Sequence, residues 1–389
     1  MSEIVYLFGA GINRGITDWD GLEPPLATDF FQQVFHSEKY LSEHYLKKIQ
    51  DLTEFIKKFW KLTKEDLKQI PFDLEACFTL IQLQSLEAQQ KGDRDTTILL
   101  SKLEYQLTSL LAEFLSEFEH FTHTSDSFGQ LGKVLYKEKP LIITFNYDTL
   151  LESAIESASS VNQNIPKSFK GAPPEEDTIP EAELVYSHFN WNRPLAYGVK
   201  FDLVQLQRAG ISTYVEGEKF YYPSANSLYS TPLLKLHGSL NWFTFSGIQK
   251  YQIPEMEFMS MKGQTVMCRG TWWHNELPDI NQEILLPIIL TPALYKQIYQ
   301  NPILNSTWEK AREGLKKCKR LIIGGYSFPS TDSHTKRLFL EAFHENTPQE
   351  IIVINPDTSI IRTVKELCHF YKPVLACRDL EEFITLYKK

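Results

Sequence analysis

The 389-residue chain has only five cysteines, Cys77, Cys268, Cys318, Cys368 and Cys377, and none belongs to a Cys-x-x-Cys pair. That spacing excludes a readable zinc ribbon or disulfide framework and leads us to expect free, mostly buried thiols in a reducing compartment, with no metal site. Long apolar runs are missing too. Nothing approaches the roughly 18 residues that span a bilayer, and the first residues lack a basic segment followed by a cleavable apolar core, so a cytoplasmic protein with no membrane segment is expected. Basic clusters are absent: 40 Lys+Arg stand against 49 Asp+Glu for a net charge of -9, which argues against direct binding to nucleic acid. No G-x-x-x-x-G-K-[S/T] loop occurs, which removes a P-loop ATPase.

What is present is an ordinary globular composition, 42% hydrophobic and 23% charged. The length suggests two or three cooperating units. Glu3–Phe8 is short, β-branched and aromatic and stops at a glycine, as a buried parallel strand does. Runs of the same kind occur at Pro140–Asp148, Leu233–Trp242, Arg320–Pro329 and Glu350–Pro356. Between the first two, residues 29–139 switch to helical periodicity, clearest at Leu99, Leu103, Leu107, Leu110, Leu111, Phe114, Leu115 and Phe118. Within this block Thr63 to Asp66 reads as a capping box, and Pro71 separates two helices. Residues 157–230 form a polar excursion of loops and short strands. Strands alternating with helices predict an α/β fold, a doubly wound parallel Rossmann-like sheet. On this reading residues 1–28 and 140–389 build the sheet domain, 29–139 are a large all-helical insertion, and 243–285 are a smaller mixed insertion. Ligands in such a sheet sit beyond the carboxyl ends of the strands.

Gly9-Ala-Gly-Ile-Asn13 follows the first strand. Taken alone it fits a pyrophosphate seat or a mere turn with φ > 0, because the third glycine of the usual dinucleotide fingerprint is missing. Other strand ends add weight. Asn146 and Asp148 stand just past a buried strand, and His237 stands past another. A lone histidine there is more often a satisfied core residue, but two polar intrusions beside a glycine loop point to a site.

Together, Gly9-Ala-Gly-Ile-Asn13, Phe145-Asn-Tyr-Asp148, Leu236-His-Gly238, Gly324-Gly-Tyr-Ser327 and Ile354-Asn-Pro356 resemble, in order and context, the NAD-binding motifs of sirtuins. The forms are similar to those of the prokaryotic sirtuin-like NADases of anti-phage defence, over about half the chain. The resemblance implies that Gly9, Ala10 and Gly11 cradle the pyrophosphate of NAD, with Ile12 and Asn13 continuing the loop. It implies that Gly324, Gly325, Tyr326 and Ser327 line the phosphates and adjacent ribose, and that Asn355 contacts the adenosine end. Asn146 then holds the nicotinamide-side ribose or its attacking water, His237 is the base, Asp148 orients the site or plays a structural part beside it, and Trp19 shields the nicotinamide pocket.

The residue types suit the chemistry. The leaving nicotinamide of NAD is already a pyridinium, so cleavage through an oxocarbenium-like state needs positioning and one base near neutral pKa, and no metal. Two departures matter. The two Cys-x-x-Cys pairs of the deacetylases' zinc module are missing, with Cys268 alone in that interval, and Asn13 stands where those enzymes usually have Ser. Without the acyl-lysine cleft, water is the natural acceptor. The expectation is an NAD⁺ hydrolase releasing nicotinamide and ADP-ribose, with a protein deacylase or ADP-ribosyltransferase, and a non-catalytic nucleotide-binding subunit, as alternatives. The resemblance further suggests a homo-oligomer joined to a HerA-type hexameric ATPase, with the helical insertion offering the surface.

Other signals carry less weight. His120 and His123 lack a carboxylate partner for a metal, Thr271-Trp-Trp-His274 reads as packing, and Thr331 or Asp332 reads as a helix cap with His334 in the first turn. His188 lies in the polar excursion.

Overall fold

A computed structural model describes residues 3–162, 195–208, 211–216, 231–249, 263–268, 279–280, 283–291, 298, 301–329 and 332–387. The chain opens with β1 (Ile4–Phe8) and enters a helical block: α1 (Phe30–His36), α2 (Glu43–Lys48), α3 (Gln50–Trp60), α4 (Lys64–Gln69), α5 (Leu74–Lys91), α6 (Arg94–Glu117) and α7 (Asp126–Glu138). It returns through β2 (Leu141–Thr144) and α8 (Leu150–Asn162). Further strands follow: β3 (Leu195–Ala196), β4 (Leu203–Arg208), β5 (Ile211–Glu216), β6 (Thr231–Lys235), β7 (Gly238–Gln249), β8 (Thr265–Met267), β9 (Asp279–Ile280) and β10 (Glu283–Ile289). Toward the C-terminus β11 (Arg320–Gly324), β12 (Glu350–Ile354) and β13 (Leu375–Cys377) alternate with helices.

The main sheet has the order β13-β12-β11-β1-β2-β6-β3, and every pairing in it is parallel. Parallel neighbours need crossover connections, which the helices supply. Tyr6, on one face of β1, packs on Phe383 of the C-terminal helix and donates to Glu138 of α7. Leu141 shares the opposite face, since it pairs in register with Val5, and there Gly314 lets helix Pro302–Lys316 approach closely. Both faces are thus covered, as the doubly wound α/β reading expects, and β1, β2, β11 and β12 are almost wholly buried. Register does the positioning. Phe8 lies beside Thr144 and Gly324, Thr144 beside Lys235, and Gly324 beside Ile354, so the strands end level and the residues after them share one edge.

The helical block obeys its local rules. Thr63 and Asp66 form the expected capping box, with Asp66 N–H donating to Thr63 Oγ1 at 3.2 Å and Thr63 N–H donating to Asp66 Oδ2 at 2.8 Å. Pro71 falls in the break between α4 and α5, and α5 ends at Gly92 in the left-handed region (φ 68°). The periodicity is off by one residue at the start of α6: Leu100 is buried and Leu99 is exposed. A β-sheet of mixed type, ordered β5-β4-β8-β7-β10-β9, runs from Leu203 to Ile289. It reaches beyond the expected 243–285, because β4 and β5 of the polar excursion pair into it through β8, a non-local pairing with no local signature.

Candidate functional site

A cavity of about 720 Å³ lies at the carboxyl edge of the parallel sheet. The loops after β1, β2, β6, β11 and β12 form its floor, and α1, α5, α6 and the stretch Pro24–Thr28 form its other wall. Of the residues predicted from sequence, Gly9, Ala10, Gly11, Ile12, Asn13, Asn146, Asp148, His237, Gly325, Tyr326, Ser327 and Asn355 all line it.

The glycine loop has a cause different from both sequence readings. Gly9 sits at φ -115°, so left-handed freedom is not what it supplies. Its amide donates to Gly324 O at 3.0 Å, and the Gly11 amide donates to Gly325 O at 2.9 Å. A Cβ on Gly9 would lie 2.7 Å from Gly325 O, one on Gly11 would lie 2.9 Å from it, and one on Gly325 (φ 63°) would lie 2.0 Å from Ile12 N. The two glycine loops therefore need glycine to press backbone against backbone. Their amides at positions 9 and 11 are spent on the protein, and Ala10, Ile12 and Asn13 line the cavity. Gly324 itself is walled off by Phe8 and Ile12 and does not line the space.

Asn146 is the most telling residue. It is 6% exposed, its backbone amide is held by Thr144 Oγ1 at 3.1 Å, and neither Oδ1 nor Nδ2 has a partner among the described residues. Asn13 adds a third orphan. Its Nδ2 donates to Asp148 Oδ2 at 2.9 Å, while its buried Oδ1 accepts from none of the described residues. Unpaired buried polar atoms cost free energy, and these three belong to residues that line one cavity.

Asp148 is buried at the N-terminal end of α8, where its Oδ1 accepts from Leu150 N–H at 3.1 Å. Burial pushes its carboxyl up to about 6, against the opposing pull of the Lys235 ammonium. The folded protein therefore binds this proton more tightly than the unfolded chain does. Asp148's contribution to stability accordingly declines as pH rises from 3.8 to about 6, and is constant above. Melting curves of wild type and Asp148→Asn between pH 4 and 7 check this: the stability difference, wild type minus variant, slopes downward across the window, and a pH-independent difference refutes the raised value.

His237 is nearly buried between the Phe145 ring (centroids 5.1 Å apart) and the Tyr147 ring (6.0 Å), and Tyr326 stacks on Phe145 at 4.2 Å. Asn355 donates to Tyr326 O at 3.4 Å and accepts from Asp357 N–H at 2.9 Å, which fixes its side chain at the far end of the loop after β11.

Trp19 does not shield the cavity. It is 88% exposed, stands edge-on to Phe121 at 5.3 Å and contributes nothing to the lining. Its loop is turned outward by contacts on both sides: Arg14 pairs with Glu23 and Asp29, and Thr17 N–H donates to Thr124 Oγ1 at 3.0 Å. Sequence reasoning also missed several lining residues. Leu111 and Leu115 of α6 and Asp73 and Glu75 at the start of α5 come from the helical block, and Arg14, Tyr147 and Arg378 come from loops. Apolar spacing revealed the helices without showing which of their residues would face the sheet. Asp332 is the cap of helix Ser333–Phe343, as expected, and it also lines the cavity. Thr331, His188 and His274 lie outside the described residues, as does the His120 side chain. Among the described residues no cluster of three or more His, Cys, Asp or Glu could hold a metal ion, and no helix is long and apolar enough to cross a membrane. All five cysteines are buried and free, and burial raises the thiols, Cys77 to about 12.

No protein-family model matches the chain, and no curated protein matches it. Among solved structures it is similar to the crystal structure of a Sir2 homolog–NAD complex, with 12% identity and a TM-score of 0.39 over 98% of this chain and 86% of that one.

Proposed function

We propose that the chain is a sirtuin-like NAD⁺ glycohydrolase that cleaves the nicotinamide–ribose bond to give nicotinamide and ADP-ribose. The observation that carries this reading is Asn146, a buried amide with both polar atoms unpartnered, in the same 720 Å³ cavity as His237 and the two glycine loops. A cavity of that volume is within the usual range for a cofactor-sized ligand. The interlocked loops after β1 and β11 seat the pyrophosphate and its neighbouring ribose, with Ala10, Tyr326 and Ser327 on the surface they offer, and Asn355 is at the adenosine end. Asn146 holds the nicotinamide-side ribose or the attacking water. Asp148, tied to Asn13, fixes the loop that carries Asn146.

Charges of both signs border this space, the carboxyls of Asp73, Glu75, Asp148, Asp332 and Asp379 and the guanidinium groups of Arg14 and Arg378, which suits a ligand that carries a cationic ring and an anionic pyrophosphate. As the glycosidic bond breaks, its electron pair passes to the pyridinium nitrogen, so nicotinamide leaves neutral. Water oxygen bonds to the anomeric carbon and its proton passes to His237, the residue type best suited to proton transfer near neutrality. The motif resemblance, more than any measured likeness, supports the wider role: NAD depletion in anti-phage defence by a homo-oligomer acting with a HerA-type ATPase, docked through the helical block.

Incubating the purified chain with NAD and identifying products by mass tests the reading. Free ADP-ribose with nicotinamide supports it. O-acetyl-ADP-ribose from an acetylated peptide, or an ADP-ribosylated protein, replaces it with deacylase or transferase activity, and tight binding without product replaces it with a non-catalytic subunit. The mass of the same preparation in solution, alone and with the ATPase, tests the assembly; a persistent monomer counts against it.

A further inference from the structure

Asp332 enters the sequence only as a helix cap, and it does cap the helix, accepting from Thr335 N–H through Oδ1 at 3.3 Å. Its other oxygen has a different setting. Oδ2 accepts from Tyr326 Oη at 2.5 Å and from Thr335 Oγ1 at 2.8 Å, and lies 3.9 Å from His237 Nε2. Both side chains are close to fully buried, 3% exposed for Asp332 and 10% for His237. Three protein donors hold the carboxylate in one orientation, and the Phe145 and Tyr147 rings limit the imidazole. A helix cap needs no histidine beside it.

We propose that Asp332 is the positioning carboxylate of His237, orienting the imidazole and stabilising its protonated form. The proposal rests on the glycohydrolase reading for its consequence in turnover, though not for the pairing itself. In the hydrolytic step a water O–H bond breaks, the oxygen bonds to the anomeric carbon, the glycosidic pair leaves with nicotinamide, and the proton goes to the imidazole, which later releases it to solvent. The cation formed in that step sits in a low-dielectric pocket, where a fixed anion at ion-pair distance is worth far more than in water. Other charged or titratable groups share the cavity: Arg14 after β1, Asp73 and Glu75 at the start of α5, Tyr147 and Asp148 after β2, Tyr326 after β11, and Arg378 and Asp379 after β13. Lys235, two residues before the histidine, is turned away onto Glu152 and the carbonyls of Tyr147 and Asp148. Among the described residues, Asp332 stands at ion-pair distance from the ring, 3.9 Å from Nε2.

The test reads the imidazole directly. In protein labelled with ¹³C-histidine, the His237 resonance is identified as the one missing from His237→Gln, and its titration midpoint is followed without substrate. Asp332→Asn keeps the cap but removes the charge, and it lowers that midpoint by about 1 unit or more. The acid limb of kcat for NAD moves to lower pH by the same amount, and kcat falls more than KM rises. Thr335→Val removes one donor to the carboxylate but keeps its charge, and leaves the midpoint in place. Should Asp332→Asn not fold, Asp332→Ser, also a good cap, takes its place. An unmoved midpoint in the Asp332 variants, or an equal shift in Thr335→Val, overturns the pairing. A midpoint that shifts while the wild type leaves NAD intact keeps the pairing and sinks the glycohydrolase reading; cleavage without the shift does the reverse.

Discussion

Asn146→Ala and His237→Ala each lower NAD cleavage by about 10²–10⁴-fold, the first as a lost positioning contact and the second as a lost proton-transfer group. The two substitutions differ in what they do to the fold. Removing an amide whose polar atoms have no protein partner takes away an existing penalty, so Asn146→Ala is neutral or slightly stabilising. His237→Ala leaves a gap between the Phe145 and Tyr147 rings and costs stability. Loss of activity without loss of stability at Asn146 is the pattern of a residue kept for its ligand. Initial rates together with melting temperatures check both, and either variant turning over NAD at the wild-type rate ends the proposal.

Lys235→Met destabilises the protein by about 3–5 kcal/mol, the usual cost of stranding a buried charge. Lys235 Nζ lies 2.9 Å from Glu152 Oε1, and neither side chain is more than 1% exposed. The ammonium also donates to the carbonyls of Tyr147, at 3.4 Å, and of Asp148. Tyr197 Oη donates to Glu152 at 3.0 Å, and Asn241 Nδ2 donates to Tyr197 Oη at 3.2 Å. One network thus joins β6, α8, the mixed sheet and the loop that carries Asn146 and Asp148. The methionine variant leaves the Glu152 carboxylate buried without its cation, and the loop loses the ammonium donor to its Asp148 carbonyl, while the Tyr147 carbonyl keeps the Leu240 N–H. Turnover falls along with stability. Replacing both partners, Lys235→Met with Glu152→Leu, recovers a large part of the stability but not the loop geometry. Denaturant unfolding of the single and double variants measures the coupling, and a single-variant loss below about 1 kcal/mol, the range of a surface ion pair, contradicts it.

How much of this could be read from the chain follows from the range of the interactions involved. β1, β2, β11 and β12 are legible because a parallel strand buried on both faces must be continuously apolar, and each stops at a small or polar residue. Asn146 and His237 are legible because a polar side chain in that position has no local excuse. The Thr63 capping box is legible because all its partners lie within four residues. Leu100, not Leu99, faces inward because the phase of a long helix is set by what it packs against. The place of β4 and β5 in the mixed sheet escapes notice because their pairing through β8 joins segments some sixty residues apart. Asp332 is half legible: its cap is a local contact, and its approach to His237 is not.

The sequence by itself determined the order along the chain of the main-sheet strands and the helical block, the edge at which the polar residues gather, the absence of paired Cys-x-x-Cys motifs, and the glycines that follow β1 and β11. Each of these depends on hydrophobic periodicity or on a residue's own chemistry. Only the tertiary structure decided what those glycines are for, since the close approach of the loops after β1 and β11 is a contact across the sheet. It also turned Trp19 outward, brought α5 and α6 over the cavity, and left the amide of Asn146 without a partner. Those outcomes depend on how distant segments fill the same space, and no local pattern encodes that.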